Sequence, residues 1–250
     1  IRDSSNTFSN FNSKYPIYAD LHTHSISSGH GSEDTITDMI RCASESGLSL
    51  FGISDHGPAT SSSAKPSYFQ SLKLADRDRF GIRVLYGAEL NIINTSGDVD
   101  LDDEILSALD YAIISIHPPI FKPYHDKDLS SAYIRAMDHP KVRFLGHIDD
   151  ARFPVDFEYL LEIAKEKHVY PEINNGSLMP DAYRINGQEN CRRILSICKK
   201  LDLPVLLSSD SHGKKNIGNM QYIFPLLEEL DFPAHLVLNS DLSVLSEIIR

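Results

Sequence analysis

Eleven histidines in 250 residues, with no His-rich tract to account for them, are the first chemical signal in this chain. Most sit in short polar clusters. Asp20-Leu21-His22-Thr23-His24 is followed by Gly29-His30, then by Ser54-Asp55-His56, Gly87-Ala88-Glu89 and Ser115-Ile116-His117. Gly146-His147-Ile148-Asp149, Glu172-Ile173-Asn174-Asn175 and Ser208-Ser209-Asp210-Ser211-His212 complete the series. Neutral imidazole together with carboxylate suits Zn²⁺, Mn²⁺ or Fe²⁺. Alternate residues of an extended chain share a face, so His22 and His24 point together, as do Asp210 and His212. No thiolate accompanies them, and His/carboxylate sites with room for water are the catalytic kind of metal site. Singly, His56, His117 or His147 would read as an ordinary loop residue. Jointly, His22, His24, His30, His56, Glu89, His117, His147, Asp210 and His212 read as metal ligands. His125, His139, His168 and His235 fall in loops or helix ends and read as surface or capping residues. Asp20 and Asp55 adjoin the candidate ligands, where they either orient imidazoles or shape turns.

Each cluster follows an apolar run of strand length: Ile17–Leu21, Leu48–Ile53, Val84–Ala88, Tyr111–Ile116, Val142–Leu145, Val169–Ile173 and Val205–Leu207. Amphipathic stretches lie between them. Thr35 caps one that carries Ile36, Met39, Ile40 and Ala43 and ends at Gly47. Asp156 opens another with Leu160, Leu161 and Ala164. Gln188 or Asn190 opens a third with Ile194, Ile197 and Leu201, stopped before Pro204. Strands alternating with helices predict βα units on a parallel sheet. No GxGxxG or P-loop is present, so a barrel-like α/β domain is expected rather than a nucleotide-binding open sheet. In such a barrel every strand end opens on one face, and seven polar clusters would meet there. Residues 1–14 are Ser/Asn-rich and aperiodic and read as a mobile tail, with Phe8 or Phe11 as an anchor. Residues 15–250 read as a single catalytic domain.

The composition, 41% hydrophobic and 24% charged, is that of a globular protein able to bury a core without disulfides. A net charge of −11 argues against a nucleic-acid or anionic-membrane surface. It leaves room for an anionic small substrate if bound cations supply local positive charge. Cys42, Cys191 and Cys198 form neither a disulfide framework nor a zinc-knot pattern. Cys191 and Cys198 are spaced to share a buried helix face, and a reducing, cytoplasmic setting is expected. The longest apolar run, Tyr111–Ile116, is far too short for a membrane span.

DLHTHS with its following Gly-His, SDHGP, GAELNI, SIHPP, GHID, EINNGS and SSDSH, in this order, resemble the PHP (polymerase and histidinol phosphatase) superfamily. The likeness is nearest to stand-alone bacterial phosphoesterases with three metals, and covers roughly residues 15–249 with ENCRRI and HLVLNSDLS. It implies a distorted, TIM-like (β/α)7 barrel and three divalent ions, zinc first, with manganese or iron as alternatives. His22, His24, Glu89 and Asp210 match the ligands of one metal, and His30, His56 and His212 those of a second. Glu89, His117 and His147 match a third, with Glu89 bridging. Two departures bear on the substrate: Ile148 follows His147 where close relatives often have Pro, so that Ile148-Asp149 looks more like the histidinol-phosphate phosphatase branch, and the loop Ala59–Tyr68 differs in detail.

The implied function is hydrolysis of small phosphate esters, phosphomonoesters first, by metal-activated hydroxide. No Ser or Cys nucleophile is required. Lys65, Arg152 and Arg184 are candidates for substrate contacts, while Arg192 and Arg193 read as helix-surface charges. The expected partner is a small phosphorylated substrate, with no membrane and no nucleic acid. Histidinol-phosphate phosphatase is the alternative within the same class. An amidohydrolase-type C–N hydrolase also begins with HxH, but it uses a modified Lys at a strand end, and no Lys ends a core strand here. A non-catalytic metal-binding PHP module would not need so full a ligand set.

Overall fold

Each of the seven apolar runs overlaps a strand, and the seven strands lie parallel in one sheet. The computed structural model describes residues 12–121 and 127–250, so Phe8, Phe11 and His125 fall outside it. The described elements are β1 (Ala19–Asp20), β2 (Thr23–His24), α1 (Ile36–Glu45), β3 (Leu50–Ile53), α2 (Pro66–Ser71), β4 (Asp78–Arg79), β5 (Ile82–Asn91) and α3 (Asp103–Leu106). They continue as β6 (Tyr111–Ser115), α4 (Ser130–Ala136), β7 (Val142–Leu145), α5 (Phe157–Lys167), β8 (Tyr170–Asn174), α6 (Asn175–Leu178) and α7 (Gly187–Leu201). The last are β9 (Leu206–Ser208), β10 (Ser211–His212), α8 (Phe224–Glu229) and α9 (Leu242–Ile249). The sheet order is β1-β3-β5-β6-β7-β8-β9, with β4 antiparallel on the edge of β5. This is the expected α/β barrel, nearly closed.

Its distortion has a visible source in β5. Residues Arg83–Tyr86 pair with β3, whereas Gly87–Asn91 pair with β6. One strand thus serves its two neighbours with successive halves, and Glu89 is carried beyond the end of β3. Inside the barrel, the Tyr111 ring fills the centre and its hydroxyl donates to the Leu21 carbonyl. Gly52 and Gly87 make room for it: a Cβ at Gly52 would lie 2.3 Å from the Tyr111 oxygen, and one at Gly87 2.8 Å from its ring. Ala19, Leu50, Leu85, Ile113, Phe144 and Leu206 complete this inner core, onto which Leu245 and Ile249 of α9 pack. The larger core lies between the outer sheet face and the helices.

The helices follow their signals. Thr35 caps α1 in a capping box with Asp38, and Asp156 caps α5. His168 ends α5 in the left-handed conformation, a capping residue as expected. Cys191 and Cys198 are both buried on α7. That helix starts at Gly187, earlier than Gln188 or Asn190 would place it, because Asn186 takes φ 58° and turns the chain there. The Asn190 side chain instead donates to the Asp149 carbonyl at 2.7 Å. The segment expected as a loop over Ala59–Tyr68 turns helical from Pro66, since proline pre-sets φ at a first helical turn.

Among the described residues no ladder joins β9 to β1; the seam is closed by Asn239. Its Nδ2 donates to the Ala19 carbonyl (2.8 Å) and the Leu207 carbonyl (2.7 Å), while its Oδ1 accepts from Leu207 N–H at 2.8 Å. One amide side chain thus satisfies the backbone on both sides of the gap. Above it, β2 and β10 pair in parallel and complete the closure at the mouth. Asn239→Leu would leave three buried backbone groups without partners. It is expected to cost about 3 kcal/mol or more, at roughly 1–3 kcal/mol for each buried group left unpaired. For a chain of this size that lowers Tm by roughly 6–12 °C. A thermal melt shifted by less than ~2 °C would show that the seam does not depend on Asn239.

Candidate metal centre

The strand ends deliver the nine candidate ligands to one place. The register of β2 with β10 sets His24 opposite His212, their rings 4.3 Å apart. An isolated parallel bridge aligns His56 with Glu89. His117 follows β6 and His147 follows β7. Two of the ligand positions bend the chain sharply: His147 has φ 27° and Asp210 φ 53°. A non-glycine residue in that region costs about 1–3 kcal/mol and persists only where its surroundings over-determine it. Here the His147 N–H donates to Glu172 Oε2 at 2.7 Å, and Asp210 Oδ2 accepts from Arg184 at 2.8 Å.

Glu89 is wholly buried at the centre. Its Oε1 faces His147 Nε2 at 2.8 Å and His117 Nε2 at 3.3 Å. Its Oε2 faces His56 Nδ1 at 2.7 Å, His22 Nε2 at 3.3 Å and His24 Nε2 at 3.4 Å. Asp210 Oδ1 lies 3.2 Å from His24 Nε2 and 3.6 Å from His22 Nε2. The His30 ring stacks 4.9 Å from His56 and lies 5.2 Å from His212. Three sets have donor atoms within 4.8 Å of one another: His22/His24/Glu89, His24/His56/His212 and His56/Glu89/His117. His24, His56 and Glu89 each belong to two of them.

Four of the inward atoms, His22 Nε2, His24 Nε2, His56 Nδ1 and Glu89 Oε2, are buried without a hydrogen-bond partner. Buried polar atoms are normally satisfied. A convergent group of unsatisfied lone pairs fits a cation. The outward ring nitrogens are already engaged: His22 Nδ1 with Glu172 Oε1, His24 Nδ1 with Ser28 Oγ at 3.0 Å, and His117 Nδ1 with Asn91 Oδ1 at 2.7 Å. Such contacts fix the ring and aim the other nitrogen at a metal.

The electrostatics agree. Burial would raise the Glu89 carboxyl, but the imidazoles of His22, His117 and His56 outweigh it and hold Glu89 well below the usual carboxylate range. Asp210 is likewise held low against burial, by His22, His24 and Arg184. Burial would lower His22, yet Glu172, Glu89 and Asp210 raise it well above an ordinary histidine. His24 is pushed well below, by burial and then by His56 and His212. The carboxylates thus favour a cation beside His22.

The other candidates separate. Asp20 does not reach an imidazole; it accepts from Ser209 Oγ at 2.5 Å and from Gly218 N–H at 2.8 Å, shaping the turn after β9. Asp55 acts through Ser28, whose hydroxyl donates to Asp55 at 2.8 Å and meets His24 Nδ1. Arg152 and Arg184 line the cavity over the centre, whereas Lys65 is exposed ahead of α2 and is not among the lining residues. Arg192 pairs with Glu189 and Glu229, and Arg193 lies near Glu158, both on the surface of α7. Glu172 had no assigned role in the sequence although it stands at the end of β8. With Asn174 two residues on, it shows the same alternation that marks His22 and His24.

A PHP domain model matches residues 20–176. A probable phosphatase of Clostridium acetobutylicum is 37% identical, over 95% of each chain. One of Acetivibrio thermocellus is 34% identical, over 92% of this chain and 94% of its own. Among solved structures, the histidinol phosphate phosphatase of Lactococcus lactis, complexed with zinc, L-histidinol and phosphate, superposes with a TM-score of 0.59. It is 20% identical and covers 86% of this chain and 94% of its own. A chain of an archaeal ribonuclease P bound to mature tRNA superposes with a TM-score of 0.61 at 18% identity, covering 92% of this chain and 89% of its own. These structural likenesses speak to the fold. Family model, close relatives and ligand geometry agree, and this chain belongs to the PHP domain family.

Proposed function

We propose that this protein is a metal-dependent phosphoesterase that hydrolyses small phosphomonoesters at a three-metal site, with zinc as the first candidate ion. The observation that carries this reading is Glu89, a buried carboxylate whose two oxygens face two separate sets of imidazoles. The other eight candidate ligands gather around it from several strand ends, and four inward atoms, one of them its own Oε2, lack a hydrogen-bond partner. Relatives at 34–37% identity named probable phosphatases support the reaction class. When bound, divalent ions supply Lewis acidity toward phosphoryl oxygens and a water that ionises near neutral pH.

The chain's own residues hold and orient. His22, His24, Glu89 and Asp210 would hold one ion, His30, His56 and His212 a second, and Glu89, His117 and His147 a third. Glu172, Ser28 and Asn91 keep the imidazoles in the acceptor tautomer. Arg184, on the cavity wall, ties Asp210 to Ser177 and keeps its buried Nε without a partner, placing fixed positive charge where a phosphate dianion enters. None of the three cysteines lines the cavity, and the reading needs no protein nucleophile. The free cysteines fit a cytoplasmic setting, and no helix among the described residues is long and apolar enough to cross a membrane.

Metal-loaded protein is expected to release phosphate from small monoesters and to lose that activity on exhaustive chelation. Turnover that survives with metal content verified as nil would overturn the reading. Glu89→Gln keeps the shape of the bridge and drops its charge. It should therefore deplete two ions together, whereas His117→Ala should deplete mainly one. Elemental analysis of dialysed protein decides, and a full complement with near-normal turnover in Glu89→Gln would rule out the bridge. Ligation displaces protons from imidazole. His22 carries a raised pKa in the metal-free protein, so its proton competes with metal at and above ~6.5, the ordinary histidine value. Zinc addition at pH 7 in weak buffer should release protons, and occupancy should fall as pH drops. Binding without proton release, with occupancy unchanged at pH 4.5, would contradict imidazole ligation.

A further inference from the structure

The metal centre opens into a cavity of about 810 Å³, within the range of ~300–1,000 Å³ that encloses drug-sized ligands. A phosphoryl group at the metals would leave most of that space to the alcohol it esterifies. Pro118, Pro119 and Ile120, which follow β6, form an apolar part of the wall. Tyr183 also lines the cavity, and it stays 60% exposed, a large aromatic ring left in water beside a polar centre. Two guanidinia lie against it. The guanidinium carbon of Arg152 lies 5.1 Å from the ring centroid and that of Arg184 5.2 Å. Arg152 is held in turn by Asp150, with Nε 3.0 Å from both carboxylate oxygens. Arg184 is held by Asp210 and Ser177.

Charge narrows the occupant. Asp210 is the sole carboxylate among the described lining residues, and it already serves Arg184 and the ligand histidines. An alcohol bearing an ammonium group, as histidinol does, therefore finds no free counter-charge among the described lining residues. The Arg184 guanidinium already faces the entering phosphate and that of Arg152 is paired with Asp150, so an alcohol bearing a second anion finds no further free cation among the described lining residues. A flat, uncharged ring suits what remains, because an anchored tyrosine offers a stacking face and arginine stacks in the same way.

We propose that Tyr183, braced by Arg152 and Arg184, is a stacking platform that makes this site selective for phosphomonoesters whose alcohol carries a planar uncharged ring, with nucleoside monophosphates as the substrate class. This rests on the phosphoesterase reading above. Hydrolysis breaks the phosphorus–oxygen bond to the ribose. The oxygen of water goes to phosphorus, and a proton goes to the ribose hydroxyl.

Adenosine 5′-monophosphate and ribose 5-phosphate share one leaving oxygen and differ by the base, so comparing them isolates stacking. Base–aromatic stacking of ordinary strength predicts a kcat/KM ratio of about 10 or more in favour of the nucleotide. Tyr183→Ala should bring the ratio close to one, and Tyr183→Phe should keep it. Histidinol phosphate should be the poorer substrate. A second measurement needs neither metal nor turnover. Saturation-transfer NMR on the metal-free protein should show contact with adenosine, none with ribose, and loss of the adenosine signal in Tyr183→Ala. Turnover indifferent to the base, a preference that survives Tyr183→Ala, or histidinol phosphate as the better ester would overturn this proposal and leave the phosphoesterase reading standing. Adenosine contact through Tyr183 with no hydrolysis of any ester would overturn the phosphoesterase reading and leave the platform as a binding site. Absence of adenosine contact in the wild type would overturn the platform itself.

Discussion

Everything at the mouth of this barrel depends on one buried negative charge. Glu89 has no exposure to water, and an isolated carboxylate moved into such a place would lose many kcal/mol of hydration or take up a proton. Neither happens, because five imidazoles converge on its two oxygens. Asp210 and Glu172 add two more buried carboxylates within reach of the same rings. The cluster is an anionic cage whose balance requires cations. The same carboxylates raise His22 well above an ordinary histidine. Because the cage exists only in the folded chain, binding ions to it stabilises the fold as well as equipping the site.

Support for the cage is built outward in layers of hydrogen bonds. Glu172 touches His22, the His147 backbone and Ser208, so one carboxylate ties the ends of β7, β8 and β9 to the centre. Asp55 gathers Ser25, Ser28 and the Tyr68 hydroxyl, linking α2 to His24 through Ser28. Arg184 fastens Asp210 to the loop that carries Tyr183. The unusual backbone at His147 and Asp210 is held by these contacts. Strain at both positions is offset by the packing and polar satisfaction around them. The barrel seam follows the same logic with a neutral group. Asn239 does for two strand edges what a further strand would do, and Tyr111 fills the centre that a regular eight-stranded barrel would fill with layered aliphatics.

Much of this was legible along the chain. The seven strands stand out because parallel strands buried on both faces are continuous apolar runs. The nine candidate ligands stand out because each follows such a run. The caps Thr35 and Asp156 are local hydrogen bonds between residues close in sequence and need no tertiary information. The β4 hairpin and the early start of α7 were not legible, since the hairpin turn takes positive φ at Phe80 as well as at Gly81, and α7 is entered through Asn186 at positive φ. Short-range patterns do not report that choice.

What the sequence alone determined is the inventory: which strands form, which donor types stand at their ends, and that alternation puts His22 with His24. Only the tertiary structure decided how that inventory is shared out. The two-neighbour register of β5 places Glu89 between imidazoles from different strands. The pairing of β2 with β10 brings His24 against His212 across nearly two hundred residues. Asp20 and Asp55 look alike in sequence, each adjoining candidate ligands at a strand end, yet one shapes a turn and the other reaches His24 through a serine. Glu172 shows the converse: a strand-end carboxylate to which the sequence assigned no role ties three strand ends to the centre. The physical reason is the same throughout. A side chain's type and face are set by local periodicity, but its partners are set by strand register and loop closure, which are properties of the whole barrel.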